Sequence, residues 1–340
     1  MSAPYQVTLT GSDVAFACEA GENLLRAGLR QGVPLAYECN VGACGTCKYE
    51  LLSGEIEEIS TTTAGLRPKE RERGRRLACQ SIALSDCTIK MRTGAEYQAP
   101  VLPLRLNATF ESQRDITHDI REFTFKSAGP ANFLAGQYAL LELPGQPARA
   151  YSMSNLANDA GIWQFMVRRV PEGAVSPLLF DKLTPGTAVV IDGPYGLAYW
   201  RQDVPRGLVC IAGGSGLAPI ASILKGAAHA PVGSHRDAYL FYGGRGPADV
   251  PSISGIFETA TLPAALNFHP VVSVPALVDG TDWDGEVGFV HEIVPHKLSG
   301  ALTDYEYYLA GPPPMVEAVV KLLIVEHKVP QSQIHFDRFF

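Results

Sequence analysis

Seven cysteines stand in this 340-residue chain, and four of them carry a spacing that implies chemistry. Cys39, Cys44 and Cys47 fall in CNVGACGTC as C-x4-C-x2-C, and Cys79 follows in RLACQ after 31 intervening residues. Three thiolates from one tight loop and a fourth from a returning segment suit a two-iron, two-sulfur core. Gly42 and Gly45 let such a loop curl closely round inorganic sulfides. Two blander readings compete. The thiols are core filler, as free Cys often is, or they hold zinc, although zinc sites more often present two C-x2-C pairs. Cys18, Cys87 and Cys210 lie in apolar or strand-like contexts and read as core residues.

A second set of residues is RAYSMSN, at 149–155, with PEGAVS at 171–176. An Arg, an aromatic ring and a hydroxyl at a strand end suit a flavin: cation on pyrophosphate, ring against ring, hydroxyl towards a ring nitrogen. Alone, this pattern equally describes a salt-bridged Arg beside a half-buried Tyr. The third set is GLVCIAGGSGLAPIASILKGAAHA, residues 207–230. It reads as a buried strand, a glycine loop and a helix, which together aim backbone N–H groups and a helix N-terminus at a pyrophosphate. Its loop departs from G-x-G-x-x-G, having Gly213, Gly214 and Gly216 followed by Pro219. A nicotinamide gives up two electrons as hydride and an iron–sulfur cluster accepts one at a time, so a flavin is the natural converter between them. No general base is required, and His118, His229 and His291 read as surface or core histidines.

The elements that position these residues change character along the chain. YQVTL and CTIKM read as paired strands near the two ends of a first module, with a helix at 22–30 leading into the cysteine loop and a strand at 48–52 leaving it. GAEYQAPVLPLR, residues 94–105, reads as a short linker. Then come LRLNATF, IREFTFK, QYALLEL, WQFMVRRV and TAVVIDG, short alternating runs that predict an antiparallel barrel. Beyond residue 204 the strands GLVCIAGG, AYLFYGG, FHPVVSV and YEYYLAG alternate with helices, the last being GPPPMVEAVVKLLIVEH, and predict a parallel sheet covered on both faces. Glycine-rich turns after the first and last of these strands fall at the carboxyl edge, where nucleotides bind. The boundaries are 1–95, 100–203 and 204–340.

The length suits two or three domains. A net charge of −7 argues against a general nucleic-acid binder. One basic run, RPKERERGRR at 67–76, precedes Cys79. It is either a solvated loop or a patch that steers an acidic redox partner. No stretch approaches a membrane span, and MSAPYQVTLT lacks the pattern of an export signal, so the expected location is the cytoplasm.

In this order, CNVGACGTC, RAYS, GGSGLAP and AGPPPM resemble the NAD(P)H-dependent, FAD-containing reductase components of bacterial multicomponent oxygenases. The resemblance spans essentially the whole chain. VGACGTCKYELLSG and AGPPPMVEA are similar to the electron-transfer component of xylene monooxygenase. THDIR, RAYSMSN, RVPEGAVS and IHFDRFF are similar to naphthalene dioxygenase reductase. The implied fold is a plant-type ferredoxin domain of β-grasp type, a flavin-binding β-barrel and an α/β nucleotide-binding domain like that of ferredoxin-NADP reductase. By the same resemblance Cys39, Cys44, Cys47 and Cys79 hold a [2Fe-2S] cluster. Arg149 serves the flavin pyrophosphate, Tyr151 its ring and Ser152 its N5, while Arg168, Gly173 and Ser176 complete the FAD grip. Gly213, Gly214, Ser215, Gly216 and Pro219 form the nicotinamide-nucleotide loop, with Gly311, Pro312 and Met315 on its nicotinamide side and Tyr242 and Arg245 beside the adenosine ribose. Phe339 is the C-terminal aromatic near the flavin, so Ser152 and Phe339 stand at the reacting centre. Two positions depart from the family pattern: Ala310 replaces a frequent Cys, and Glu172 replaces the second Gly of a P-G-G turn. The implied donor is NADH, with NADPH as a second possibility, since Arg245 suits a ribose phosphate and Asp249 opposes it. The implied acceptor is a terminal oxygenase or its ferredoxin, to which a cluster near roughly −400 mV is a suitable donor. An alternative is the reductase of deoxysugar biosynthesis, to which DGEVGFVHEIV, residues 284–294, is similar.

Overall fold

A computed structural model describes residues 3–229, 237–257, 263 and 266–340. It forms two compact units, one of residues 1–105 with Asp192–Leu197 and Phe340, the other of Leu106–Ile191 and Ala198–Phe339. In the first, the elements are β1 (Tyr5–Leu9), β2 (Ala15–Cys18), α1 (Leu24–Arg30), β3 (Lys48–Ser53), β4 (Ile56–Glu58), α2 (Pro68–Glu72), β5 (Arg75–Leu77), β6 (Ser81–Ala83) and β7 (Cys87–Met91). The sheet order is β2-β1-β7-β3-β5, and β4 pairs with β6 separately. The two strands expected to pair do so in parallel, Val7 opposite Cys87. Helix α1 starts at Leu24 rather than at residue 22 because the Asn23 side chain caps it, accepting the Arg26 N–H at 2.9 Å. Its apolar face, Leu24, Leu25, Ala27 and Leu29, is buried. Cys18 and Cys87 are buried here, as expected.

The basic run is folded into this unit, and three of its six cations meet carboxylates of neighbouring strands. Arg71 and Arg76 both engage Glu58, Lys48 pairs with Glu70 at 2.9 Å and Arg75 with Glu50 at 3.3 Å. Carboxylates of β3 and β4 thus answer Arg71, Arg75 and Arg76, while Glu70 of α2 is engaged by Lys48.

The second unit opens with β8 (Leu104–Asp115), β9 (Ile120–Ser127), β10 (Tyr138–Glu142), β11 (Arg149–Ser152), β12 (Ile162–Arg168), α3 (Ser176–Asp181) and β13 (Ala188–Tyr195), whose last residues, from Asp192, group with the first unit. The order β11-β10-β13-β8-β9-β12 is closed by a bridge between Met153 and Phe165. Phe110, Phe123, Phe125, Trp163 and Phe165 fill the barrel. The alternating runs found in the sequence are these strands, since one residue in two faces that core.

A parallel sheet follows: β14 (Gly207–Gly213), α4 (Leu217–Ala228), β15 (Ala238–Gly244), α5 (Ile253–Ile256), β16 (Leu266–Val272), β17 (Glu286–Val287), α6 (Val290–Lys297), β18 (Tyr305–Gly311), α7 (Pro313–Lys321) and β19 (Ile334–Arg338). The order is β17-β16-β15-β14-β18-β19. Strand β14 is buried throughout because it is covered twice: Cys210 and Ala212 face one core, Val209 and Ile211 the other. The first of these cores also takes in Ile120 and Met166 of the barrel strands. Helix α4 is bonded to the barrel as well, Ser222 Oγ donating to Asn155 O at 2.7 Å and Lys225 Nζ to Ser154 O at 2.8 Å. The last helix ends sooner than its apolar run suggests, passing at Leu322–Glu326 into a π-helical turn. Strands β17 and β19 are findings of the structure. No helix among the described residues is long and apolar enough to cross a membrane.

Candidate functional site

In the first unit the cysteine loop runs directly into β3, while Cys79 sits in the short turn between β5 and β6. The Ala78 N–H donates to Cys47 O at 3.0 Å and so brings the returning segment home. Cys47 Sγ and Cys79 Sγ are 3.3 Å apart. At the other end, the Cys44 N–H points at Cys39 Sγ at 3.3 Å and the Thr46 N–H at Cys44 Sγ at 3.4 Å. A hydrogen bond from Cys39 holds the Cys44 thiol down to about 6. Burial and the hydrogen bond with Cys47 push the Cys79 thiol well up, the bond with Cys47 counting most. Gly45 is left-handed at φ 77°, and a Cβ there collides with the Gly65 carbonyl, so the loop closes only with glycine. Four converging sulfurs with backbone N–H groups directed at two of them are the donor set that an iron–sulfur core requires.

On the barrel, β11 carries the second set. Ser152 is 4 % exposed and stands opposite Tyr138, while Tyr151, opposite Ala139, packs against the barrel core. Burial pushes the Tyr151 phenol up to about 12. Arg149 is exposed, its guanidinium donating to Ala148 O at 3.1 Å. The segment holding Gly173 and Ser176 is folded on itself: Ser176 Oγ accepts the Val170 N–H at 3.0 Å, and the Gly173 N–H donates to Val170 O at 3.0 Å. Glu172 has φ 60°, a conformation that suits glycine better than a side chain. An exposed cation, a half-buried ring and a buried hydroxyl along one strand fit the flavin reading of the sequence. Arg168, the remaining residue of the expected FAD grip, stands at the end of β12.

Arg168 lines a cavity of about 430 Å³ at the carboxyl edge of the parallel sheet. Its Nε donates to Asp119 Oδ2 at 2.6 Å. Of the residues expected at a nucleotide, Gly213, Gly214, Tyr242, Arg245, Pro312 and Met315 line the same cavity. The Tyr242 hydroxyl donates to Gly214 O at 3.3 Å. Its phenol is pushed up by burial first and by the charges of Asp119 and Asp249 next. Ser215, Gly216, Pro219 and Gly311 do not line it. Pro219 is buried in α4, and Gly216 lets the helix start lie against β18, where any Cβ would strike the Ala310 carbonyl. The Gly311 carbonyl accepts the Phe339 N–H at 2.9 Å, and Phe339 packs on the core shared by the barrel and α4. Ala310 is buried in that same core.

The chain as a whole has known counterparts. Residues 7–84 match the family described as 2Fe-2S iron-sulfur cluster binding domain, 107–200 the oxidoreductase FAD-binding domain and 210–321 the oxidoreductase NAD-binding domain. The ferredoxin–NAD(P)(+) reductase CarAd of Metapseudomonas resinovorans is 39% identical, over 99% of this chain and 100% of that one. The chain belongs to the ferredoxin–NAD(P)+ reductase components of oxygenase systems. The xylene/toluene monooxygenase electron transfer component XylA of Pseudomonas putida is another relative, 33% identical over 98% of this chain and 93% of its own. A solved ferredoxin reductase in carbazole 1,9a-dioxygenase superposes with a TM-score of 0.89 at 36% identity, covering 99% of this chain and 98% of that one. The reductase therefore carries a 2Fe-2S domain, an FAD-binding domain and an NAD-binding domain. These relatives lend no support to the deoxysugar alternative.

Sequence reasoning gave no part to Asp119, Phe289 or His291, all of which line the cavity of this reductase. Phe289 and His291 arrive with the start of α6, their rings stacked at 5.9 Å. The only signal for them lay in DGEVGFVHEIV, where Gly288 at φ 141° turns the chain from β17 into the helix. Asp249 accepts the N–H groups of Arg245 at 2.9 Å and Gly246 at 3.0 Å, while the Arg245 side chain is 66% exposed.

Proposed function

We propose that this reductase oxidises NADH and delivers the electrons, through FAD and a [2Fe-2S] cluster, to the terminal oxygenase of a multicomponent system or to its intermediary ferredoxin. When bound, FAD takes up hydride as a two-electron step and releases electrons singly, and the cluster carries them one at a time. The chain's own residues bind and orient. In this reading Cys39, Cys44, Cys47 and Cys79, within a module of residues 1–95, hold the iron. Arg149, Tyr151, Ser152, Gly173 and Ser176, within 100–203, hold the flavin, and Phe339 covers it. Residues 204–340 supply the nucleotide cavity, with Gly213 and Gly214 at the pyrophosphate, Tyr242 and Arg245 at the ribose and Pro312 and Met315 at the nicotinamide. Asp249, which accepts the Arg245 N–H at 2.9 Å and lies 3.7 Å from its guanidinium, supports NADH over NADPH, since a carboxylate beside that arginine opposes a ribose phosphate. Cys18, Cys87 and Cys210, buried and outside any disulfide, fit a reducing compartment such as the cytoplasm.

The observation that carries the reading is the return of Cys79 to within 3.3 Å of Cys47, in a chain whose other unit holds a nucleotide-sized cavity. Anaerobically purified protein is expected to contain iron, labile sulfide and flavin, and to reduce cytochrome c rapidly with NADH. Protein that stays free of iron after reconstitution refutes it. Cys44→Ser is expected to stop electron delivery to cytochrome c while NADH still bleaches the flavin.

A further inference from the structure

The cysteine loop holds a polar side chain with nothing to bond. Asn40 follows Cys39 directly, is 1 % exposed and has a left-handed backbone at φ 57°. Neither its Nδ2 nor its Oδ1 has a hydrogen-bond partner. Thr63, whose Cγ2 lies 3.0 Å from where a Cβ on Gly42 would stand, has a buried hydroxyl in the same condition. Leaving a buried polar group unpaired is unfavourable, and such groups are otherwise almost always paired. The surroundings of the loop show what its donors are for. The Cys44 and Thr46 N–H groups point at sulfur, and Gln80 Nε2 lies 4.0 Å from Cys79 Sγ. Asn tolerates the left-handed region better than most residues, which explains the backbone. It does not explain why the carboxamide is sealed from water without a partner, since glycine would serve the backbone at no such cost.

We propose that Asn40 Nδ2 donates a hydrogen bond to the [2Fe-2S] cluster and raises its reduction potential. The proposal rests on the reading that Cys39, Cys44, Cys47 and Cys79 hold that cluster. Only the nitrogen end can serve, because sulfide and thiolate sulfur are acceptors, as Oδ1 is. A donor at the cluster stabilises the more negative, reduced form, and hydrogen bonding to the sulfurs is one of the levers by which proteins set such potentials.

The test uses the complete, cluster-loaded chain grown with asparagine labelled with ¹⁵N in the carboxamide alone. Pulsed EPR of the dithionite-reduced protein is expected to show a weak ¹⁵N coupling absent from unlabelled protein, and backbone amides cannot contribute to it. Asn40→Gly keeps the left-handed backbone without strain. It is expected to lose that coupling and to shift the reduction equilibrium against the reduced cluster about tenfold, which is ~59 mV for a one-electron couple. A labelled wild-type protein without side-chain coupling overturns the proposal, whether or not the glycine variant assembles. So does a loaded glycine variant with unchanged potential. Protein without iron fails earlier and refutes the cluster assignment itself.

Discussion

Replacing Arg168 by Gln tests where its positive charge works. Family resemblance puts this residue on the flavin, whereas the structure holds it beside the glycine loop of the nucleotide cavity. Its Nε is committed to Asp119 at 2.6 Å, and its Nη1 lies 3.9 Å from where a Cβ on Gly214 would stand. The terminal nitrogens thus lie towards the glycine loop, where the proposed function puts the pyrophosphate. A hydrogen bond to a charged group is worth about 1.5–3 kcal/mol. Arg168 is 39% exposed, so solvent screening favours the lower end of that range. At about 1.4 kcal/mol for each factor of ten, the KM for NADH should rise about 10-fold in Arg168→Gln, with kcat changing less because the contact is uniform binding. Flavin content should be unchanged. Asp119→Asn keeps the cation but loosens its anchor, and should raise KM by a smaller factor. The measurement is ferricyanide reduction against NADH concentration, with the flavin-to-protein absorbance ratio read on the same preparations. A variant that loses FAD while keeping the wild-type KM for NADH refutes the reasoning and returns Arg168 to the flavin.

Gly216→Ala sets a side chain against the Ala310 carbonyl. It should destabilise the second unit by about 1–3 kcal/mol, as overpacking does, read as a lower denaturant midpoint; an unchanged midpoint would mean that α4 and β18 can separate freely. Glu58 is 15% exposed and receives both Arg71 and Arg76. Glu58→Gln should therefore cost about 1–3 kcal/mol by leaving two half-buried cations without their carboxylate, whereas Arg73→Gln, at an exposed position, should stay within about 0.5 kcal/mol. Thermal melting of both variants checks the contrast. Burial raises the phenols of Tyr49 and Tyr151 to about 12, above the usual value of about 10. A raised folded-state pKa gives stability that is complete below the unfolded value and is lost as pH climbs through the folded one. Melting temperature should accordingly fall between about pH 10 and pH 12, and less steeply in Tyr49→Phe.

What was legible in the chain follows from what each feature demands locally. A plant-type cluster takes four cysteines, three of them closely spaced in one loop, so Cys39, Cys44, Cys47 and Cys79 stand out before any strand is placed. A strand covered on both faces must be apolar at every position, and β14 reads as one for that reason. The direction of a long side chain answers to no such local demand. Arg168 and Asp119 are 49 residues apart, and they meet because β12 pairs with β9 so that Arg168 stands opposite Ile120. A slip of one residue in that pairing would send every side chain of β12 to the other face of the sheet. The same holds for the basic run, whose charge is plain in the sequence while Glu50 and Glu58, which answer it, come from strands with other registers. Short strands such as β17, only two residues long, carry no periodicity at all, and the cavity wall they introduce was therefore invisible. Motif spacing thus speaks directly for residues whose type their chemistry dictates, and less directly for residues whose role depends on aim. For that reason the cysteines and the arginine of this reductase call for different evidence: elemental analysis decides the first, and only a substitution that separates flavin retention from nucleotide affinity decides the second.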